Sequence, residues 1–158
     1  LSGKTGTVLD LYCGAGTIGL TLADKAEKLI GVEIVPDAVR DARVNASMNG
    51  ITNAEFICGD AADAAEKLAA ENITPDVVIL DPPRKGCTPS LLKTVAEMSP
   101  DRIAYVSCDP ATFARDCAVL AGLGYELKEY TPFDMFARTA HVETVGLLKR
   151  ITGWQAQL

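Results

Sequence analysis

The sequence holds a single histidine, and its five cysteines (Cys13, Cys58, Cys87, Cys108 and Cys117) form no C-x-x-C pair. A Cys/His zinc site is therefore not expected, and no metal is. No apolar run approaches the ~18 residues of a membrane span. The N-terminus shows no basic–apolar–small leader pattern, and no internal repeat or low-complexity linker is visible. The expectation is a cytoplasmic chain with reduced thiols. Basic residues are the minority, 15 Lys+Arg against 21 Asp+Glu, for a net charge of −6 and a pI near 4.8. A stand-alone nucleic-acid binder, which usually has a pI above ~9, is disfavoured. An enzyme that acts on nucleic acid with help from another domain is not.

What is present is ordinary for one globular domain: 158 residues, 48% apolar and 23% charged. A chain of this length buries roughly 68–70% of its unfolded surface, so no disulfide or metal staple is needed.

Strands and helices alternate along the chain. Strands are expected at Gly6–Tyr12, Lys28–Glu33, Asn53–Cys58, Pro75–Leu80, Arg102–Ser107, Tyr125–Phe133 and Val142–Lys149. Helices are expected over Gly16–Asp24, Pro36–Asn49 (with Val39, Arg43 and Ala46 near helical spacing), Asp60 to Ala70, Pro89–Met98 and Asp109 to about Leu120. Repeated strand–helix units predict an α/β fold with a parallel sheet and helices on both faces. The last two strands, with no helix between them, predict an antiparallel end.

Four segments carry chemistry. Gly14-Ala-Gly16-Thr-Ile-Gly19 follows the first strand, where glycines let the backbone approach a ligand, and Glu33 ends the second strand, placed to accept from ribose hydroxyls. This pattern suits a dinucleotide or S-adenosylmethionine equally. Asp81-Pro82-Pro83-Arg84 follows the fourth strand. Its two prolines stiffen a turn that can present carbonyls and Asp81 to a planar ring, with Arg84 and Lys85 adding positive charge at the rim. Ser107-Cys108-Asp109-Pro110 puts a thiol at a helix N-terminus, where the macrodipole favours thiolate and Asp109 opposes it. His141 and Glu143 alternate on an extended chain and so share a face, and Glu143 at a strand start suits a general base. Of the other cysteines, Cys13, Cys58 and Cys117 are expected as small apolar fillers, and Cys87 as an exposed loop thiol.

Together, Asp10-Leu-Tyr-Cys-Gly-x-Gly16, Asp81-Pro-Pro-Arg-Lys-Gly86, Ser107-Cys-Asp-Pro-Ala-Thr-Phe-Ala-Arg-Asp116 and Asp134-Met-Phe-x-x-Thr-x-His-x-Glu143 resemble the S-adenosylmethionine-dependent RNA uracil-5-methyltransferases. The resemblance runs from about Thr7 to Lys149. It implies a Rossmann-like methyltransferase sheet of seven strands with an antiparallel last strand. It implies a catalytic domain over 1–150 and a tail over 151–158. The N-terminal RNA-binding and central regions of the family, and a cofactor-contacting segment just upstream, are expected to lie outside this chain.

The resemblance further implies cofactor contacts by Tyr12, Gly14, Gly16, Thr17, Glu33, Asp60 and Asp81. Cys108 stands as nucleophile and Glu143 as base. Pro82, Arg84, Arg138 and His141 fall on the substrate side. Ala137 stands where the family commonly has proline. The implied reaction methylates C5 of a uridine through a covalent Cys–C6 intermediate and leaves S-adenosylhomocysteine. The second and third motifs look more like the ribosomal than the transfer RNA enzymes, so 23S ribosomal RNA is the expected partner. Tyr12, Phe113 and Phe136 are available to stack on an unstacked base, though core or cofactor-wall roles compete. Two alternatives use the same motifs: an amino or small-molecule methyltransferase without a covalent step, and a nicotinamide-binding oxidoreductase.

Overall fold

The computed structural model describes residues 5–134 and 142–154. Seven strands, β1 (Thr5–Leu11), β2 (Ala26–Glu33), β3 (Ala54–Cys58), β4 (Val77–Leu80), β5 (Arg102–Ser107), β6 (Tyr125–Phe133) and β7 (Glu143–Arg150), form one sheet in the order β3-β2-β1-β4-β5-β7-β6. β1 to β5 pair in parallel, and β7 inserts antiparallel between β5 and β6. The helices are α1 (Thr17–Leu20), α2 (Pro36–Met48), α3 (Ala61–Ala70), α4 (Pro89–Glu97) and α5 (Pro110–Gly122). The expected Rossmann-like architecture and antiparallel end are both present.

Burial explains the layers. β4 is buried at every residue, as a strand covered on both faces must be. Leu9 and Leu11 of β1 face the core made with α3, α4 and α5, while Val8 faces the opposite side with Ala23, Ala26 and Leu29. Val39, Ala42 and Ala46 of α2 close over Phe56 and Cys13 on that second side. The strand order reverses at β1, whose neighbours are β2 and β4. The crevice beyond the carboxyl ends of β1 and β4 is thus the switch point where α/β sheets bind ligands.

Four local expectations need correction. The helix expected over Gly16–Asp24 is a single turn followed by a 3-10 turn at Ala23–Lys25. The Thr21 hydroxyl donates to the Ile18 carbonyl at 2.7 Å, the local competition that makes such residues poor helix propagators. Arg43 is exposed, its Nη2 donating to the Phe56 carbonyl at 2.8 Å, and Ala42 takes the core position instead. Cys58 is exposed at the end of the edge strand β3 rather than packed. Cys87 is buried, only 4% exposed, rather than a loop-surface thiol.

Gly31, in the middle of β2, shows how close the layers lie. A Cβ there would stand 2.6 Å from Phe56 Cδ1 and 2.9 Å from Cys13 Sγ. Gly31→Ala is therefore expected to destabilise the fold by about 1–3 kcal/mol through overpacking. Urea unfolding checks this: the midpoint falls with the slope unchanged.

Candidate active site

The sequence-predicted residues that are described lie along the carboxyl edge of the sheet. β1 ends in a turn of left-handed residues: Tyr12 at φ 68°, Gly14 at φ 54° and Gly16 at φ 81°. Only glycine takes such angles without strain, so Gly14 and Gly16 allow the chain to bend here. A Cβ on Gly14 would meet nothing within 4 Å, so this turn faces open space. Thr17 is exposed and opens α1, and Tyr12 is half-buried.

Glu33 fixes the turn from the end of β2. Its Oε2 accepts the Gly14 N–H at 3.0 Å and its Oε1 the Val35 N–H at 2.9 Å. A carboxylate oxygen has more than one acceptor site, so both retain capacity for a ligand hydroxyl. Asp60 caps α3, its Oδ1 accepting from the N–H of Ala62 at 2.8 Å and of Asp63 at 3.3 Å.

Asp10 is the residue sequence reasoning passed over. It is 1% exposed, its Oδ2 accepts the Gly19 N–H at 3.0 Å, and its Oδ1 has no partner. Burial pushes its carboxyl up to about 7, against the opposing Gly19 hydrogen bond and with help from the Asp81 and Glu33 charges. The available signal was an acid inside the apolar run of β1. Asp81, past the end of β4, is half-buried; burial first, and then Glu143, raise its carboxyl above the ordinary range. Four acids thus share one edge of the sheet, and they repel one another. A ligand bearing positive charge relieves that repulsion.

Cys108 follows β5 and is partly exposed. Its turn is held from both sides: Ser107 Oγ donates to the Asp109 carbonyl at 2.9 Å and accepts the Asp109 N–H at 3.1 Å. Asp109 then caps α5, accepting from the N–H of Ala111 at 2.8 Å and of Thr112 at 3.1 Å. The β5–β7 register pairs Ser107 with Thr144. That pair is the last of the ladder; Cys108 follows Ser107 and Glu143 precedes Thr144, so both lie at the same end of the β5–β7 pair. Pro82 is buried while Arg84 and Lys85 are exposed beside it. Phe113 is a core residue, its ring edge-on to Tyr105 at 5.8 Å between centroids. Arg138, His141 and Phe136 lie outside the described residues. The groove between Gly124, Arg150 and Trp154 lies at the opposite end of the sheet and contains none of these residues.

Comparison with known proteins shows the family and the fold. The family model described as tRNA (uracil-5-)-methyltransferase matches residues 1–151. An uncharacterized RNA methyltransferase of Clostridium acetobutylicum is 54% identical over 151 residues, 96% of this chain and 33% of its own length. Another, of Halalkalibacterium halodurans, is 52% identical over 143 residues, 90% of this chain and 31% of its own. The chain thus spans about a third of the curated relatives it matches. Among solved structures, the Pyrococcus abyssi tRNA (uracil-54, C5)-methyltransferase in complex with S-adenosyl-L-homocysteine superposes with a TM-score of 0.76 at 36% identity, covering 94% of this chain and 35% of that one. An rRNA methylase from Streptococcus thermophilus shares the fold, with a TM-score of 0.74 at 14% identity over 94% of this chain and 89% of its own.

Proposed function

Because the chain belongs to the tRNA (uracil-5-)-methyltransferase family, we propose that it is the catalytic domain of an enzyme that methylates C5 of a uridine in RNA, with S-adenosylmethionine as methyl donor. The observation that supports this reading is that Cys108 and Glu143 flank the last β5–β7 pair, Ser107 with Thr144, at the edge where Glu143 acts on Asp81. A thiol and a carboxylate at one edge of the sheet are the two groups that C5 methylation of uracil needs.

The cofactor fits the residues present. Its sulfonium and ammonium groups suit the acidic edge formed by Glu33 and Asp81, beside the buried Asp10. The open space before Gly14 admits a ligand against the backbone. Glu33 keeps acceptor capacity for a ribose, with Tyr12, Gly16, Thr17 and Asp60 lining the same edge. When bound, the cofactor supplies an electrophilic methyl group, and S-adenosylhomocysteine remains after transfer.

The protein's own part is nucleophilic and then basic. Uracil C5 is a poor nucleophile. Addition of the Cys108 thiolate to C6 pushes electron density onto C5 and its carbonyl neighbour, as covalent catalysis splits one hard step into easier ones. After C5 is alkylated, Glu143 accepts the C5 proton, and the C6–S bond breaks to restore the aromatic ring and the thiolate. The uridine must leave its stack to reach the thiol. Pro82 and Arg84 stand on its side of the pocket, with Arg138 and His141 assigned there from sequence.

The second and third motifs favour ribosomal RNA, and the acidic charge of this domain supports a reading in which most RNA affinity comes from outside it. The test is covalent trapping with 5-fluorouridine-containing 23S ribosomal and transfer RNA, each with S-adenosylmethionine. Fluorine cannot leave C5 as a proton does, so an adduct on Cys108 is expected with one RNA. An adduct with transfer RNA alone reassigns the substrate. Absence of any adduct in the complete protein favours a non-covalent amino methyltransferase using Asp81-Pro82-Pro83.

A further inference from the structure

Two of the motif residues that carry the family resemblance have no part in the chemistry above: Arg115 and Asp116. Asp116 lies on the apolar stripe of α5 with Phe113, Cys117 and Leu120, and is 1% exposed. An acid in that position is costly to bury without partners. It has four. Its Oδ2 accepts the Cys87 N–H at 2.8 Å and the Tyr105 hydroxyl. Its Oδ1 accepts Arg115 Nε at 2.8 Å, and Arg115 Nη2 stands 2.8 Å from the same oxygen as an ion pair. The same guanidinium reaches on to the carbonyls of Lys85 at 2.8 Å and Cys87 at 3.5 Å. Gly86, between them, lies flat against the pair at φ +75°, where a Cβ would come within 2.5 Å of both Arg115 Nη2 and Asp116 Oδ2.

These bonds join three elements. Tyr105 belongs to β5, three residues before Cys108. Asp116 belongs to α5, two turns after it. Lys85, Gly86 and Cys87 belong to the loop that begins with Asp81, Pro82 and Arg84. Both elements flanking the thiol are therefore tied to the loop that forms the substrate side of the pocket. No described bond of this set touches the cofactor turn directly. Cys87 itself is tied a second time to β5, its thiol accepting the Tyr105 hydroxyl at 3.7 Å.

We propose that Asp116, clamped by Arg115, is a positioning residue that sets the Asp81–Cys87 loop at a fixed distance from the Cys108 turn, so that a base held by the loop presents C6 to the thiol. This rests on the assignment of Cys108 as nucleophile. A covalent attack requires the reacting atoms about 3–3.5 Å apart and aligned, and a misplacement of about 1 Å costs about 100-fold. Arg115 suits the task because its planar fork reaches a carboxylate and two carbonyls at once, which a lysine ammonium cannot.

The test compares Arg115→Lys, Asp116→Asn and Gly86→Ala in the complete protein, with Cys108→Ala alongside. Turnover is expressed per molecule competent to bind S-adenosylhomocysteine, measured by calorimetric titration, so that loss of folded protein does not count. Arg115→Lys keeps the charge and is the mildest. It is expected to lower kcat about tenfold with KM for RNA within about twofold. Gly86→Ala, which changes no charge, is expected to show the same split and a slower rise of the 5-fluorouridine adduct. A kcat per competent molecule equal to wild type in Arg115→Lys and in whichever of the other two folds overturns the positioning role, provided Cys108→Ala is inactive. Turnover by Cys108→Ala instead overturns the nucleophile assignment itself.

Discussion

Cys108→Ala is expected to lower methyl transfer by about 10⁴-fold or more, the scale on which loss of a covalent nucleophile acts, while S-adenosylhomocysteine binds as before. Cys108 makes no cap or core contact that the substitution would remove: its turn is held by Ser107 and Asp109. Glu143→Gln should behave differently. The thiolate still adds and C5 is still alkylated, but the C5 proton has no acceptor, so the covalent RNA–protein species accumulates on ordinary uridine. A denaturing gel separates the two variants: no adduct for alanine at 108, a methylated adduct for glutamine at 143. Turnover by the Cys108→Ala protein at wild-type rate would exclude the covalent route and leave the Asp81-Pro82-Pro83 turn as the catalytic element.

The second large effect is on stability and follows from Asp10. Its carboxyl is raised from 3.8 to about 7 by burial, against its Gly19 hydrogen bond and with the Asp81 and Glu33 charges adding. The folded state therefore holds this proton more tightly than the unfolded chain. The stability so gained is fully present below pH 3.8 and is lost as pH rises through 7. At about 1.4 kcal/mol per pH unit, the loss between pH 5 and pH 8 is of order 2 kcal/mol. Asp10→Asn has no such proton to lose. Its unfolding free energy, relative to wild type, is expected to rise by that amount over the same interval, whatever the substitution costs at pH 5. Urea unfolding of both proteins at several pH values measures the difference. Parallel curves would show that Asp10 ionises in the folded state as freely as in the unfolded chain.

Much of this molecule was legible in its sequence, and the exceptions share a cause. β5 and β6 fall on Arg102–Ser107 and Tyr125–Phe133 as expected, because alternation and flanking turn residues are local signals. The caps at Asp60 and Asp109 were readable for the same reason. The buried state of Cys87 was not, since it depends on Asp116 and Tyr105, which are distant in sequence. Asp116 itself was detectable as an acid on the apolar stripe of α5, but its partners were not. The approach of Glu143 to Asp81 needed the strand order, and no local pattern states that β7 lies between β5 and β6.

That insertion also bears on how the protein is made. A chain leaving the ribosome presents β5 and then β6, with a gap between them that only β7 can fill. Until it does, the hydrogen-bonding edge of β5 is open and Glu143 has not arrived. The first five strands can associate earlier, since each pairs with a strand already synthesised. The edge that carries Gly14, Glu33 and Asp81 thus precedes Glu143 in assembly, and a nascent chain stalled before β7 would hold that edge without the acid that β7 brings to Asp81.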